Sequence, residues 1–393
     1  MSITLGVEEE FLLVDAETFR LVPSARLVVA ALPAEVVPLI RLETRATQIE
    51  SATNVHTELT ELGSALSEVR ATLDTAARSV GCRIMATGGC ILRDGDEFPL
   101  ADERYAQIAR RFGYLEDARG LCACQVHVGV PDRRVAVAAL NHIRVWLPVV
   151  QALGCNSPFV NGLETGYAST RATLLSAWPT VRPSPLLRSL EHHDELVADL
   201  RAAGAMLDHQ MLYWHARLSA VHPTIEVRCA DACLTVRETV LLAALVRALV
   251  TTAVRAVENG VSAPLVDEGT LTAAHWRAAK DGLEGRGFDV LERAEVPMWR
   301  LVDRLVEHVG DALAEANDLN TVHATLECLH KVGSGAARQR RVAHRNPTEL
   351  ARPASAVDIA ALHDTPAIGV ITDGPDLVAV ARAVVAETTR DLY

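Results

Sequence analysis

The stretch Ile3-Thr4-Leu5-Gly6-Val7-Glu8-Glu9-Glu10-Phe11-Leu12-Leu13-Val14-Asp15 reads as a β-strand. Side chains alternate across a strand, so residues two apart share a face. Ile3, Leu5, Val7, Phe11 and Leu13 form one apolar face, and Glu8 and Glu10 project from the other. Glu9 falls on the apolar side and needs a partner of its own, such as an arginine. Two neighbouring carboxylates repel each other, and a strand made only for packing has no use for them. A cation held between them and a third ligand removes the repulsion. A solvated, charged strand face explains one such triplet, but it does not explain why three later strands repeat the design.

Those strands lie at Thr47–Glu50, Cys122–Val130 and Thr224–Cys229. In the first, Gln48 and Glu50 share a face. In the second, Gln125 and His127 oppose Cys124, Val126, Val128 and Val130. In the third, Thr224, Glu226 and Arg228 oppose Ile225, Val227 and Cys229. If these faces converge, four carboxylates and one imidazole line a single cavity. Carboxylate oxygens are hard ligands suited to Mg²⁺ or Mn²⁺, with one histidine tolerated. Unpaired buried carboxylates are costly, so a purely structural cluster of this kind is rare. Glu8, Glu10, Glu50, His127 and Glu226 are therefore the candidate metal ligands. No H-E-x-x-H or C-x-x-C occurs, which argues against a zinc hydrolase. No P-loop and no G-x-G-x-x-G after a strand occurs either. A bound nucleotide would depend on metal and arginines: Arg228, Arg171 at the end of a long loop, and Arg338 and Arg340 in a Gly-rich segment. The alternative for the last two is a solvated loop.

The chain has 393 residues, 49% hydrophobic and 22% charged, with a net charge of −12. This is the composition of a soluble globular protein, and the acidic balance argues against a general polyanion binder. Basic residues are nearly all arginine, with only Lys280 and Lys331 as lysines. Eight cysteines without paired spacing indicate a reduced, cytoplasmic protein. The N-terminus shows no signal-peptide pattern. Val240 to Val257 is very apolar, yet Arg247 and Arg255 interrupt it, so a buried core helix is expected and no membrane association.

Further along, the pattern predicts a return strand over Phe19–Val22 and a short helix capped by Ser24. Amphipathic helices are predicted over Thr57–Val80, with Leu59, Leu62, Leu66, Val69 and Leu73 at helical spacing, and over Asp102–Phe112. Helices are also predicted over Arg133–Leu153 and Pro185–Met206. His192-His193-Asp194-Glu195 reads as a solvated helix face. Gly154–Arg171 is a long loop of the kind that is usually functional. Beyond Val236 the chain is nearly all helical, interrupted by Gly333-Ser334-Gly335-Ala336-Ala337-Arg338-Gln339-Arg340-Arg341. The expectation is an α+β chain with a mainly antiparallel sheet. One domain over residues 1–393 is expected, β-rich to 230 and helical from 231, the two halves sharing a core.

Gly6-Val7-Glu8-Glu9-Glu10-Phe11, Val126-His127-Val128-Gly129, Asn156-Ser157-Pro158-Phe159 with Thr165-Gly166-Tyr167-Ala168-Ser169, Ile225-Glu226-Val227-Arg228 and Gly335-Ala336-Ala337-Arg338-Gln339-Arg340 occur in this order. Together they resemble the type 2 glutamate–cysteine ligase family of carboxylate–amine ligases. The resemblance implies a glutamine-synthetase-like fold, a curved antiparallel sheet forming a funnel. It implies metal ligation by Glu8, Glu10, Glu50, His127 and Glu226, and Arg228 against the transferred phosphate of ATP. Gln125, Asn156, Tyr167 and Arg171 would lie near the substrates, and Glu226, Arg228 and Arg171 would carry catalysis. ATP would phosphorylate a carboxylate, and an amine would attack the acyl phosphate.

The chain departs from the family pattern at four places. Gln125 stands where a second histidine is common, and His215-Ala216-Arg217-Leu218-Ser219 where an Asp-Ile-Arg-Pro-Ser run is common. Glu164 replaces an aspartate and Val160 an aromatic residue. These positions surround the substrates more than the phosphates. The expected function is an ATP- and Mg²⁺-dependent ligase joining the γ-carboxylate of glutamate to cysteine, with small-molecule partners, no nucleic acid, and a homodimer as an open option. The alternatives are the same chemistry on another acid or amine, and a catalytically silent nucleotide-binding member.

Overall fold

Leu5–Asp15 forms the first strand, β1, of a computed structural model that describes residues 3–92, 99–100, 102–117, 120–344, 375–390 and 392. The remaining sheet strands in chain order are β2 (Ile40–Leu42), β3 (Gln48–Ala52), β4 (Cys82–Met85) and β5 (Ala123–Gly129). A small hairpin follows, β6 (Phe159–Val160) with β7 (Leu163–Glu164). Then come β8 (Ala216–Leu218) and β9 (Thr224–Asp231), and a second hairpin, β10 (Arg286–Asp289) with β11 (Ala294–Pro297). The main sheet has seven strands in the order β2-β3-β1-β5-β9-β8, with β4 also on β1, and all its pairs are antiparallel.

β1 sits at the centre because it is long enough to serve three partners. β3 pairs with Glu8–Leu12 along one edge. β5 pairs with Leu5–Glu9 and β4 with Leu12–Asp15, one after the other on the opposite edge. Glu10 and Phe11 fall at the split between β5 and β4. There the backbone N–H of Ala123 donates to Glu10 Oε2 at 2.8 Å. The predicted apolar face is buried as expected, with Leu5, Val7, Phe11 and Leu13 at 1, 2, 0 and 0% exposure. Beyond Glu10 the other face is apolar too, since Leu12 and Val14 are fully buried.

The helices are α1 (Ala25–Ala30), α2 (Leu59–Ser79), α3 (Glu103–Phe112), α4 (Tyr114–Asp117), α5 (Arg133–Ile143), α6 (Leu147–Leu153) and α7 (Thr170–Leu175). They continue with α8 (Leu190–Ala202), α9 (Val236–Glu258), α10 (Glu268–Asp281), α11 (Met298–Glu315), α12 (Leu319–Val332), α13 (Gly335–Ala343) and α14 (Leu377–Thr388). α2 buries the predicted stripe of Leu59, Leu62, Leu66, Val69 and Leu73. α9 is long and apolar enough to cross a membrane by length and composition, but it is packed by α2, α5, α11 and α12. Its Arg247 is buried against Asp318 and the Thr57 carbonyl.

Several local expectations change. The single helix over Arg133–Leu153 is two helices bent by 72°. Pro148 explains the break: it lacks an N–H and clashes inside a continuous helix, but is tolerated in the first turn of α6. The return strand is only a bridge between Leu21 and Val14. Ser24 precedes α1 but makes no side-chain cap. The helix expected over Pro185–Met206 is limited to α8, capped by Ser189. His193 on α8 is buried, unlike the solvated face expected there. The Gly-rich segment forms α13, and Ser334 Oγ accepts from Ala337 N at its start. Glycine is required at Gly335, where a Cβ would lie 2.3 Å from Asn156 Oδ1.

Candidate active site

Strand register assembles the site from residues on one face of the sheet. Arg41 on β2 lies opposite Glu50 on β3, and Glu50 lies opposite Glu10 on β1. A second row runs from Gly6 on β1 through His127 on β5 and Glu226 on β9 to Arg217 on β8. Glu8 pairs with Gln125 between the rows. Glu8, Glu10, Gln48, Glu50, Gln125, His127, Arg171, Glu226 and Arg228 all line one cavity of about 510 Å³. The four polar strand faces therefore converge.

Charge in this cavity is arranged by position. Glu226 is 2% exposed and is gripped from two sides. Arg217 donates to it through Nε at 2.9 Å and brings a terminal nitrogen within 2.9 Å as an ion pair, and Arg228 donates at 2.8 Å. Burial alone would raise the Glu226 carboxyl, but Arg217 and Arg228 outweigh it and hold it below its usual range. Burial also opposes the charge on Glu8, yet His127, Arg41 and Arg228 bring its carboxyl down to about 2. Glu50 behaves in the opposite sense. Burial, with Glu43, Glu8 and Glu10 close by, pushes it well above the usual range. Burial likewise raises Glu10, which accepts from Gln125 Nε2 at 3.0 Å.

These residue types, carboxylates with one imidazole, are the donors a hard cation takes. Three carboxylates crowd one wall, and burial resists their simultaneous ionisation. His127 Nε2 is enclosed without a hydrogen-bond partner, 3.6 Å from Glu8 and 4.0 Å from Glu226. Thr224 Oγ1 contacts its Nδ1 at 3.0 Å, which fixes the ring with Nε2 toward the carboxylates. Among the described residues no three or more His, Cys, Asp or Glu side chains stand close enough together to hold a metal ion as they are placed. Arginine nitrogens take the carboxylate oxygens instead. Arg41 contacts Glu8 at 3.2 Å and Glu50 at 3.4 Å, and Arg217 and Arg228 hold Glu226.

The Glu50 shift gives a stability prediction. A carboxyl raised on folding keeps a proton that the unfolded chain releases. Its contribution is complete below about 4.5 and is lost as pH rises through the raised value. Glu50→Gln keeps the neutral form at every pH. With chelator present, the variant is expected to unfold a few degrees higher than the parent at pH 8 and no higher at pH 4. Scanning calorimetry at both pH values checks this, and an identical pH dependence in the two proteins would contradict it.

Four expected site residues lie outside the cavity. Asn156 is 2% exposed, and its Nδ2 donates to the carbonyls of Ala86 and Ala232 at 3.0 and 2.9 Å. Gln339 Nε2 donates to its Oδ1 at 2.8 Å. Asn156 therefore ties α13 to the ends of β4 and β9. Tyr167 faces Lys280 and Trp276, with Lys280 Nζ 4.6 Å from its ring centre. Arg338 pairs with Glu238 and Glu387, and Arg340 pairs with Glu164 and donates to the Tyr167 carbonyl at 2.8 Å. The arginines expected near phosphates are thus neutralised within the α13 surroundings, neither on a solvated loop nor at the cavity. Arg171 does line the cavity, but its guanidinium donates to the carbonyls of Ala230 and Arg228 at 3.1 and 3.4 Å.

The structure adds Arg41 and Tyr213 to the cavity wall, and it places there His215 and Arg217 of the 215–219 run expected near the substrates. Arg228 lies over the Tyr213 ring at 5.2 Å. Arg41 and Arg217 carry a sequence signal, since each is the middle residue of a short strand and shares a face with an acidic residue across a hairpin. Their pairing depends on register, which the strand pattern alone leaves free.

The family model described as Glutamate-cysteine ligase family 2 matches residues 4–357. A protein provisionally named glutamate–cysteine ligase 2 from Salinispora arenicola is 43% identical over 349 residues, covering 89% of this chain and 92% of its own. One provisionally named glutamate–cysteine ligase 2-1 from Saccharopolyspora erythraea is 44% identical over 356 residues, covering 88% and 91%. Among solved structures, a glutamate–cysteine ligase from Francisella tularensis in complex with AMP superposes with a TM-score of 0.69 at 12% identity, covering 100% of this chain and 90% of that one. A bifunctional glutathione synthetase from Pasteurella multocida gives 0.64 at 12% identity, covering 100% and 53%. At such identity the likeness is one of fold, and it agrees with the antiparallel α+β architecture above. The sequence matches go further: the chain belongs to glutamate–cysteine ligase family 2 and is an ATP-dependent carboxylate–amine ligase.

Proposed function

We propose that the protein joins the γ-carboxylate of glutamate to the amine of cysteine, with ATP and Mg²⁺, through an acyl phosphate. The observation that carries this reading is the convergence of Glu8, Glu10, Glu50, His127 and Glu226 with Arg217 and Arg228 in one cavity. A carboxylate is a poor electrophile and phosphate repels it. The site must therefore neutralise charge on the transferring phosphoryl group before anything else.

Glu8, Glu10, Glu50, His127 and Glu226 would hold divalent metal. The metal supplies charge neutralisation on the phosphates when bound. The chain's own residues do the rest. Glu226 sets the angle between the Arg217 and Arg228 guanidiniums, and Arg228 presents its fork to the phosphoryl oxygens. Arg171 holds the Arg228 and Ala230 carbonyls and keeps the end of β9 in place. Gln125 fixes one oxygen of Glu10, leaving the carboxylate oriented. The presence of Glu8, Glu10, Glu50, Glu226 and Arg228 in the chain supports an active member over a silent one. We also read residues 1–393 as one domain, because β1, β5 and β9 share a core cluster with α9 and α11. Asn156, Tyr167, Arg338 and Arg340 support the surrounding structure in this reading.

ADP release by purified protein with ATP, Mg²⁺ and glutamate, against a panel of amines that includes cysteine, tests the proposal. Cysteine-dependent release and a γ-glutamylcysteine mass are expected. Turnover only with another amine would keep the chemistry and replace the substrate. No turnover with any pair would sink the proposed acid. A different amine is the second reading, and His215 and Gln125 in the cavity wall favour it.

A further inference from the structure

Arg41 lines the cavity from β2, an edge strand of the sheet, directly opposite Glu50 on β3. Glu50 in turn lies opposite Glu10 on β1, and Glu8 is the next residue of β1 on the same face. A cross-strand diagonal of this kind brings long side chains within reach of one another. A single atom closes it. Arg41 Nη1 donates to Glu8 Oε1 at 3.2 Å and to Glu50 Oε1 at 3.4 Å. Among the described residues its guanidinium makes no other hydrogen bond.

The three side chains differ in their access to water. Glu8 and Glu50 are 14% and 8% exposed, but Arg41 is 54% exposed. A pair whose cation stands half in water contributes little, because water competes for the guanidinium and ordering a long side chain costs entropy. The neighbouring arginines are held more firmly. Arg217 is buried and also donates to the carbonyls of Gln210 and Leu212, and Arg104 meets both oxygens of Asp208. Arg41 is therefore readily displaced. Its nitrogen also keeps the two carboxylate oxygens wider apart than a metal would, since Mg²⁺ draws such oxygens to about 2.1 Å. A guanidinium and a divalent ion cannot share those two oxygens, because two cations at such range repel each other.

We propose that Arg41 holds the place of a divalent ion between Glu8 and Glu50, yields their oxygens when the metal binds, and then turns to the phosphates of the nucleotide. This rests on the reading of the cavity as a metal–ATP site. Two carboxylates in a partly enclosed cavity repel each other unless a cation stands between them. Arg41 supplies that cation until a divalent ion replaces it. Its flexible stem then lets the guanidinium swing away from the dication, and its planar fork matches the oxygens of a phosphate. Arg41 thus acts in opposite senses on the two ligands. Free metal must win two oxygens from Arg41, whereas metal with nucleotide offers Arg41 a new partner. The site therefore favours the metal–nucleotide complex over the metal alone.

Two titrations test this, and neither needs turnover. In the first, Mn²⁺ binding without nucleotide is read at pH 8 from loss of the free-ion EPR signal. Arg41→Gln is expected to bind Mn²⁺ about fivefold more tightly than the parent, the upper end of what an exposed ion pair contributes. In the second, a non-hydrolysable ATP analogue with an imido β,γ-bridge is titrated into protein saturated with Mn²⁺. Arg41→Gln is expected to bind it about tenfold more weakly, the loss of one charge-assisted hydrogen bond. Arg41→Lys keeps the charge and is expected to return both values toward the parent. A role limited to supporting the cavity wall would weaken both ligands or neither. Equal or weaker Mn²⁺ binding in Arg41→Gln, or unchanged binding of the analogue, would overturn the proposal. Failure of the parent to bind Mn²⁺ would overturn the metal reading and the proposal together. The acid and the amine enter neither titration, so an error in the proposed substrates leaves this test intact.

Discussion

Glu226→Gln is expected to lower ATP-dependent turnover by about 10²–10³-fold, the range seen when one preorganised electrostatic contact to developing charge is removed. Glu226 accepts one hydrogen bond each from Arg217 and Arg228, and a second Arg217 nitrogen forms an ion pair with it at 2.9 Å. Glutamine keeps the shape but removes the charge, and it turns one acceptor into a donor that faces a guanidinium. Arg217 has other anchors, the carbonyls of Gln210 and Leu212 at 2.7 and 2.8 Å, so it stays in place. Among the described residues, Arg228 keeps only its position over Tyr213 and its long-range neighbours Glu10 and Glu8. The fork proposed to meet phosphate is then free to turn, and a proposed metal ligand is lost as well. Because the carboxyl is held below its usual range, its charge is complete above about 4.5 and fades only as pH falls through the lowered value. The defect is therefore expected to be constant from pH 6 to 8. Turnover within tenfold of the parent, in a variant with parental ATP binding, would remove Glu226 from the reacting centre.

What the sequence makes legible follows from periodicity, and what it hides follows from register. Alternation alone separates Glu8, Glu10, Glu50, Gln125, His127, Glu226 and Arg228 from the core, because a strand has only two faces. The same alternation leaves Glu9 on the wrong side, and that misfit correctly demands a buried cation, which is Arg70. Nothing local names Arg70, since it comes from the middle of α2, 61 residues away. Arg41 and Arg217 escape for a related reason: their strands have three residues each, too few to show a period. The resemblance implies Asn156 and Tyr167 near the substrates, and the Gly-rich segment offers Arg338 and Arg340 to nucleotide phosphates. Yet Asn156 and Gln339 bond each other where α13 meets the sheet, a packing task that leaves the same kind of motif in the chain. The α13 segment itself was hidden by its glycines, which read as a loop until Gly335 is seen to admit Asn156 at close range.

The Arg70 site carries the largest stability prediction. Arg70 and Glu9 are each about 1% exposed at the side chain and form a two-point pair, at 2.6 and 3.0 Å. Arg70 also donates to the carbonyls of Cys233, Leu234 and Thr388, at 2.9, 3.3 and 3.3 Å. Thr239 Oγ1 donates to Glu9 Oε1 at 2.5 Å. One guanidinium thus joins β1, α2, the start of α9 and the end of α14. Arg70→Ala leaves a buried carboxylate and three carbonyls with fewer partners, together with a cavity. Breaking a buried pair from one side costs about 3–5 kcal/mol. The single variant is expected to lose at least that much in denaturant unfolding, a large share of the about 5–15 kcal/mol typical of a folded domain. The double variant Glu9→Leu with Arg70→Met separates the causes. It removes both charges and refills the volume, while the three carbonyls still lose their donor. If the isolated carboxylate is the main cost, the double variant regains stability over Arg70→Ala. Should the two unfold at the same denaturant concentration, the carbonyl network joining α9 and α14 would be the main contribution of Arg70, and the ion pair would be incidental to it.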